Sequence, residues 1–139
     1  MNILIVEDDF FSRVLLNEIL IGYGSVHPAA NGQEALEAFE AAMSSERYYQ
    51  LVCLDIVLPD IDGHVVLKRL REIEQRHLSK LPGTCKILMT TSLNDPSNVM
   101  QSFREQADGY LVKPFDERKL VKYLKDFGLL SVPPAGAGN

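Results

Sequence analysis

Four side chains in this chain of 139 residues, Glu7, Asp8, Asp55 and Lys113, have types and positions that could act together on one phosphoryl group, with a hydroxyl from Thr90, Thr91 or Ser92. Asp55 poses the question most sharply. It closes the run LVCLD, where a carboxylate following four apolar residues is costly unless a cation or hydrogen bonds hold it. Glu7 and Asp8 follow NILIV, and Lys113 follows GYLV, so acids and an ammonium all stand at the carboxyl ends of β-like runs. Three carboxylates in one cleft repel one another, and a hard divalent cation is the natural way to keep them all ionised. Mg²⁺ fits best, because it takes oxygen ligands, needs few of them from the protein and keeps water. Carboxylates, a cation, an ammonium and a hydroxyl also suit a transferring phosphoryl, whose equatorial oxygens carry charge. Asp55 would then be the nucleophile and an acyl phosphate the product.

The elements that must position these groups are legible as alternating patterns. Apolar runs at Asn2 to Val6, Ser25 to Ala30, Leu51 to Asp55, Lys86 to Thr90 and Gly109 to Lys113 read as strands. Their near-continuous apolar character suits a parallel sheet covered on both faces. Helical patterns lie between them, over about Phe11 to Tyr23, after Asn31-Gly32, after Asp62-Gly63, from Asp95-Pro96, and over about Asp116 to Phe127. Five βα units predict an α/β fold with helices on both sides of a doubly wound sheet. In such sheets ligands bind beyond the carboxyl ends of the strands, where the candidate residues stand. The closing SVPPAGAGN reads as a flexible Pro/Gly/Ala tail, giving a domain over 1–128 and a tail over 129–139.

Composition narrows the classes. The apolar content of 46% and charged content of 24% are those of a globular domain. A net charge of -5 disfavours direct binding of nucleic acid, which needs clustered Lys and Arg. Cys53 and Cys85, without a CxxC pair, suggest neither a disulfide framework nor a zinc site. No run approaches transmembrane length and the N-terminus lacks signal-peptide flanks, so a cytoplasmic protein without membrane insertion is expected.

Taken in order, VEDD, LDIVLPDIDG, ILMTTS and GYLVKPF resemble the motifs of response-regulator receiver domains of two-component signalling, over roughly Met1 to Phe127. The resemblance implies a flavodoxin-like (βα)5 fold with five parallel strands in the order 2-1-3-4-5. It implies Asp55 as phosphoacceptor, assisted by Lys113 and Thr91, with Mg²⁺ held by Glu7, Asp8, Asp55 and the Val57 carbonyl. Glu7 departs from the commoner Asp and should still serve the metal directly or through water. Thr91 and Tyr110 occupy the switch positions, and the Lys113-Pro114 bond is cis in the family. Output passes to a face made by helix four, strand five and helix five. Val57 and Leu93 stand where the family sets phosphoryl lifetime; two aliphatic side chains exclude the hydrolytic water, implying slow decay. The implied partners are a histidine kinase or histidine phosphotransfer protein and an unidentified downstream protein. A receiver is a phosphoacceptor that assists its own reaction, not an enzyme in the usual sense.

Other residues read more plainly. His27, His64 and His77 have no metal-like spacing and are expected to be solvated or partly packed. Lys68, Arg69, Arg71, Arg76 and Lys80 read as a solvated helix face and loop. In the first helix, Phe10, Phe11, Val14 and Leu15 extend the apolar surface beyond one core-facing stripe, for extra core packing or a docking face; the resemblance implies docking there, together with Pro114 in the loop after strand five. A metal-dependent phosphohydrolase working through an aspartyl phosphate is the enzymatic alternative. It would want a second acid two residues after the nucleophile, where Val57 stands. A flavin carrier would need a glycine- and hydroxyl-rich loop after strand one, where Glu7-Asp8-Asp9 instead repels phosphate. The chain could also be the receiver piece of a larger regulator or hybrid kinase.

Overall fold

The computed structural model describes residues 1–130. Five strands, β1 (Asn2–Val6), β2 (Ser25–Ala29), β3 (Leu51–Leu54), β4 (Lys86–Thr91) and β5 (Gly109–Val112), alternate with five helices. These are α1 (Phe10–Leu20), α2 (Gly32–Ser45), α3 (Gly63–Arg76), α4 (Pro96–Arg104) and α5 (Glu117–Asp126). The strands form one parallel sheet in the order β2-β1-β3-β4-β5. The stretch between α3 and β4 holds a short 3-10 turn at Leu78–Lys80. The tail expected over 129–139 lies, from residue 131 on, outside the described residues, while Leu129 and Leu130 pack partly against the core.

Side-chain alternation along the strands divides the interior in two. Leu4, Val6, Val52, Leu54, Ile87 and Met89 face Phe39 of α2 and Val66, Leu67 and Leu70 of α3. Ile3, Ile5, Leu51, Cys53, Leu88 and Leu111 face Leu16 and Leu20 of α1 and Leu120 and Leu124 of α5. Both faces of the sheet are therefore dry, as their apolar sequences require.

Each helix begins at a side-chain cap. Asp9, Asn31, Asp62, Asp95 and Asp116 accept from the backbone N–H groups of Ser12, Glu34, His64, Asn98 and Lys119, satisfying donors a helix start leaves free. α1 starts one residue before the sequence pattern suggests and stops at Leu20, short of Tyr23. At the sheet margins, Pro28 sits in β2, which pairs only with β1, so its missing N–H costs no ladder bond. On the other margin, the Tyr123 hydroxyl of α5 accepts from the Tyr110 N–H at 3.3 Å and donates to the Tyr110 carbonyl at 3.0 Å. Its ring lies so close over Gly109 that a Cβ there would stand 2.5 Å from Tyr123 Cε1.

Candidate phosphoacceptor site

Backbone ladders run one residue past three strand ends and bring the key side chains level. Glu7 N–H donates to Ala29 at 3.0 Å, Asp55 N–H to Val6 at 3.1 Å, and Lys113 N–H to Thr91 at 2.7 Å. Asp55 and Lys113 therefore lie just beyond the strands that the sequence pattern extends to include them.

The Lys113 ammonium donates to Asp55 Oδ2 at 3.0 Å and pairs closely with Glu7 Oε1. Asp55 Oδ1 accepts the Val57 N–H at 3.2 Å. Glu7 and Asp55 are buried and Asp8 is exposed, yet one carboxylate oxygen from each lies within 4.8 Å of the others. Burial pushes the Glu7 carboxyl up to about 7 from an ordinary 4.5; the Lys113 hydrogen bond opposes this and the Asp55 charge adds to it. Burial works against the Lys113 ammonium, but its bonds to Glu7 and Asp55 prevail and hold it above its ordinary range. One ammonium thus pairs with two of three clustered acids, and the remaining excess of carboxylate oxygen is what a hard cation at Glu7, Asp8 and Asp55 would neutralise.

Thr91 and Tyr110 meet the β4–α4 loop through Leu93. The Leu93 N–H points to Thr91 Oγ1 at 3.4 Å, and the Tyr110 hydroxyl donates to the Leu93 carbonyl at 2.7 Å. Thr91 is buried, Tyr110 half-buried, and the Leu93 side chain packs partly against the core. Val57 is 57% exposed. The Lys113-Pro114 bond is cis. Phe10, Phe11, Val14 and Leu15 are exposed, and Phe11 and Leu15 line a groove of about 420 Å³ with Ser92, Lys113, Pro114 and Phe115.

Two expectations are corrected. His64 is 5% exposed, where solvation or partial packing was expected; its Nε2 lies 3.1 Å from Ser102 Oγ and 3.3 Å from the Asn98 carbonyl of α4. Lys68, Arg69, Arg76 and Lys80 are exposed, but the Arg71 side chain is 12% exposed. It reaches Glu74, Asp108 and the carbonyls of Cys85 and Gln106, tying α3 to the amino ends of β4 and β5. Gln106 has φ 73, a left-handed backbone stabilised by these bonds. Cys85 is buried, like Cys53.

Sequence reasoning also missed two residues that shape the acceptor loop. Asp60 accepts from Gly32 and Gln33 at 2.8 and 2.9 Å, anchoring the loop on the start of α2. Gly63 N–H donates to Ile56 at 2.7 Å, and a Cβ on Gly63 would stand 2.3 Å from the Asp55 carbonyl oxygen. The Asp62-Gly63 pair carried this signal, since glycine beside a capping Asp can mark close backbone approach.

A 2-1-3-4-5 parallel sheet with acids after β1 and β3 and a lysine after β5 defines a receiver domain of two-component signalling, and the chain belongs to that family: residues 3–125 match the response regulator receiver domain. The transcriptional regulatory protein SrrA of Staphylococcus aureus is 36% identical over 124 residues, covering 88% of this chain and 46% of SrrA. The chain thus spans about half the length of the curated relatives it matches. Chemotaxis protein CheY4 of Vibrio cholerae is 28% identical, with TM-score 0.73 over 91% of this chain and 97% of that one. A chain of the CheX-CheY-BeF3-Mg²⁺ complex from Borrelia burgdorferi is 25% identical, with TM-score 0.78 over 91% of this chain and 87% of its own. Among the described residues, no helix is long and apolar enough to cross a membrane.

Proposed function

We propose that this receiver domain takes a phosphoryl group from a phosphohistidine onto Asp55 and passes the change to the face made by α4, β5 and α5. The observation that carries the reading is the Lys113 ammonium bridging Asp55 and Glu7 within a cluster of three carboxylates. An Asp55 oxygen attacks phosphorus, the P–N bond breaks, and its electron pair leaves with the imidazole. Lys113 and Thr91 bind the oxygens of the transferred group, and Tyr110 follows Thr91 through their shared contact with Leu93. Glu7, Asp8, Asp55 and the Val57 carbonyl would hold Mg²⁺, which supplies charge neutralisation when bound.

The exposed Phe10, Phe11, Val14 and Leu15, with Pro114, supply the docking face for a helix of a histidine kinase or histidine phosphotransfer domain. The downstream target is a protein, and direct contact with nucleic acid is no part of this reading, given the net charge of -5. The chain works as a stoichiometric acceptor in the cytoplasm rather than as a turnover enzyme. Against a phosphohydrolase, Val57 offers no proton to a leaving group.

Acetyl phosphate tests the site. Intact-mass spectrometry should detect one phosphoryl adduct that needs Mg²⁺ and vanishes in Asp55→Asn. An undiminished adduct in that variant would overturn the assignment.

A further inference from the structure

α4 is joined to the acceptor loop by a route that bypasses Thr91 and Tyr110. The loop passes from Asp55 to Gly63, which sits against the Asp55 carbonyl and donates to Ile56 at 2.7 Å. His64 comes next, its own N–H bound to Asp62 at 2.7 Å. Its ring enters the seam between α3 and α4, where Ser102 is fully buried. Ser102 Oγ donates to the Asn98 carbonyl at 2.9 Å, so a proton on His64 Nε2 finds an acceptor in Ser102 Oγ at 3.1 Å, while His64 Nδ1 lies 3.4 Å from the Asp62 carboxylate. The second residue of α3, next to the Gly63 that packs on the acceptor's carbonyl, thus holds α4 by a buried polar contact.

Such a contact fixes position more tightly than packing alone. An apolar side chain can slide along a helix, whereas a buried N–H must keep an acceptor or bear the cost of losing it. Arg71 holds the carbonyl of Gln106, just beyond the carboxyl end of α4. With that end fixed, a displacement of the acceptor loop reaches α4 first where His64 grips it.

We infer that His64 is a positioning residue that couples the β3–α3 loop to α4 through Ser102 and Asn98, in parallel with the Thr91–Leu93–Tyr110 contact. The inference rests on Asp55 being the phosphoacceptor, and its test separates the two.

Beryllofluoride-induced amide shifts would be compared in the full chain carrying His64→Leu, His64→Gln or Ser102→Ala, with acetyl phosphate labelling followed by intact mass. Leucine fills the space without an N–H; glutamine restores a donor near the Nε2 position. In His64→Leu, shifts at Thr91 and Tyr110 should persist while those across Asn98 to Arg104 fall to about half or less of wild type. His64→Gln should recover them. Ser102→Ala, left with the longer contact to the Asn98 carbonyl, should fall between. Labelling of Asp55 should continue in every variant. Wild-type α4 shifts in His64→Leu, or a glutamine variant that behaves as the leucine one, would overturn the coupling while leaving the acceptor intact. A wild-type chain that takes no phosphoryl group would overturn the acceptor reading and the coupling with it.

Discussion

Thr91 and Tyr110 each bind a different end of the same residue, the Leu93 N–H at 3.4 Å and the Leu93 carbonyl at 2.7 Å. The β4–α4 loop is therefore held from β4 and from β5 at one point. Movement of the Thr91 hydroxyl toward a new phosphoryl oxygen would draw on Leu93 and, through the Leu93 carbonyl, on Tyr110.

Tyr110→Phe keeps the ring and leaves the Leu93 carbonyl without that donor. The variant should lose about 0.5–1.5 kcal/mol in urea unfolding. Its Ser92 to Asn94 amides should exchange faster with solvent. Unchanged exchange there would show that the hydroxyl does not restrain the loop.

Removing the ammonium of Lys113 separates its two effects. Lys113→Gln should slow acetyl phosphate labelling about tenfold or more, because the transferred oxygens lose a charged donor. It should also strengthen Mg²⁺ binding, since Glu7 and Asp55 no longer share their charge with Lys113. Intact-mass time courses and Mg²⁺ titration followed by NMR read both. Labelling at the wild-type rate would remove Lys113 from the reaction.

Asp95 gives α4 a pH dependence. Hydrogen bonds from the Ser97 and Asn98 side chains, then from the Asn98 N–H, lower its carboxyl to about 2 from an ordinary 3.8. A folded value below the unfolded one means the carboxylate contributes stability that is full above about 3.8 and lost as pH falls toward 2. The urea midpoint of wild type minus that of Asp95→Asn should stay level near neutrality and shrink across that window. A difference independent of pH would place the cap's value in its geometry rather than its charge.

Hydrolysis of the acyl phosphate needs a water in line with phosphorus. Val57 is the exposed aliphatic side chain two residues beyond Asp55, whereas Leu93 is partly engaged with the core, so Val57→Asn is the cleaner probe. It should shorten the lifetime of the phosphoprotein by about tenfold, the effect of roughly 1.4 kcal/mol from one positioning hydrogen bond. Decay would be followed by mass in Mg²⁺ without partners. Equal decay would refute water exclusion by Val57.

The fold was readable because strands covered on both faces are written as apolar runs, and the acids and lysine interrupt those runs only at their carboxyl ends. Strand ends shifted by a residue where the ladder outlasts or falls short of the apolar pattern, as at Thr91 and Asp55. The roles of His64 and Arg71 were not readable. Their partners Ser102 and Asp108 lie 38 and 37 residues away, and a polar side chain on a helix reads as solvated until the element that covers it is known. Asp60 was hidden likewise, because its capping contacts are with the start of a preceding helix.

A parallel sheet that does not close leaves two rims, and a rim with free N–H and C=O groups is a template for recruiting another chain. Here Pro28 removes a donor from one rim and the Tyr123 hydroxyl occupies both backbone groups of Tyr110 on the other. Strand-to-strand growth into fibrils is thereby obstructed at both sides of the molecule, and encounters between copies are left to side-chain surfaces.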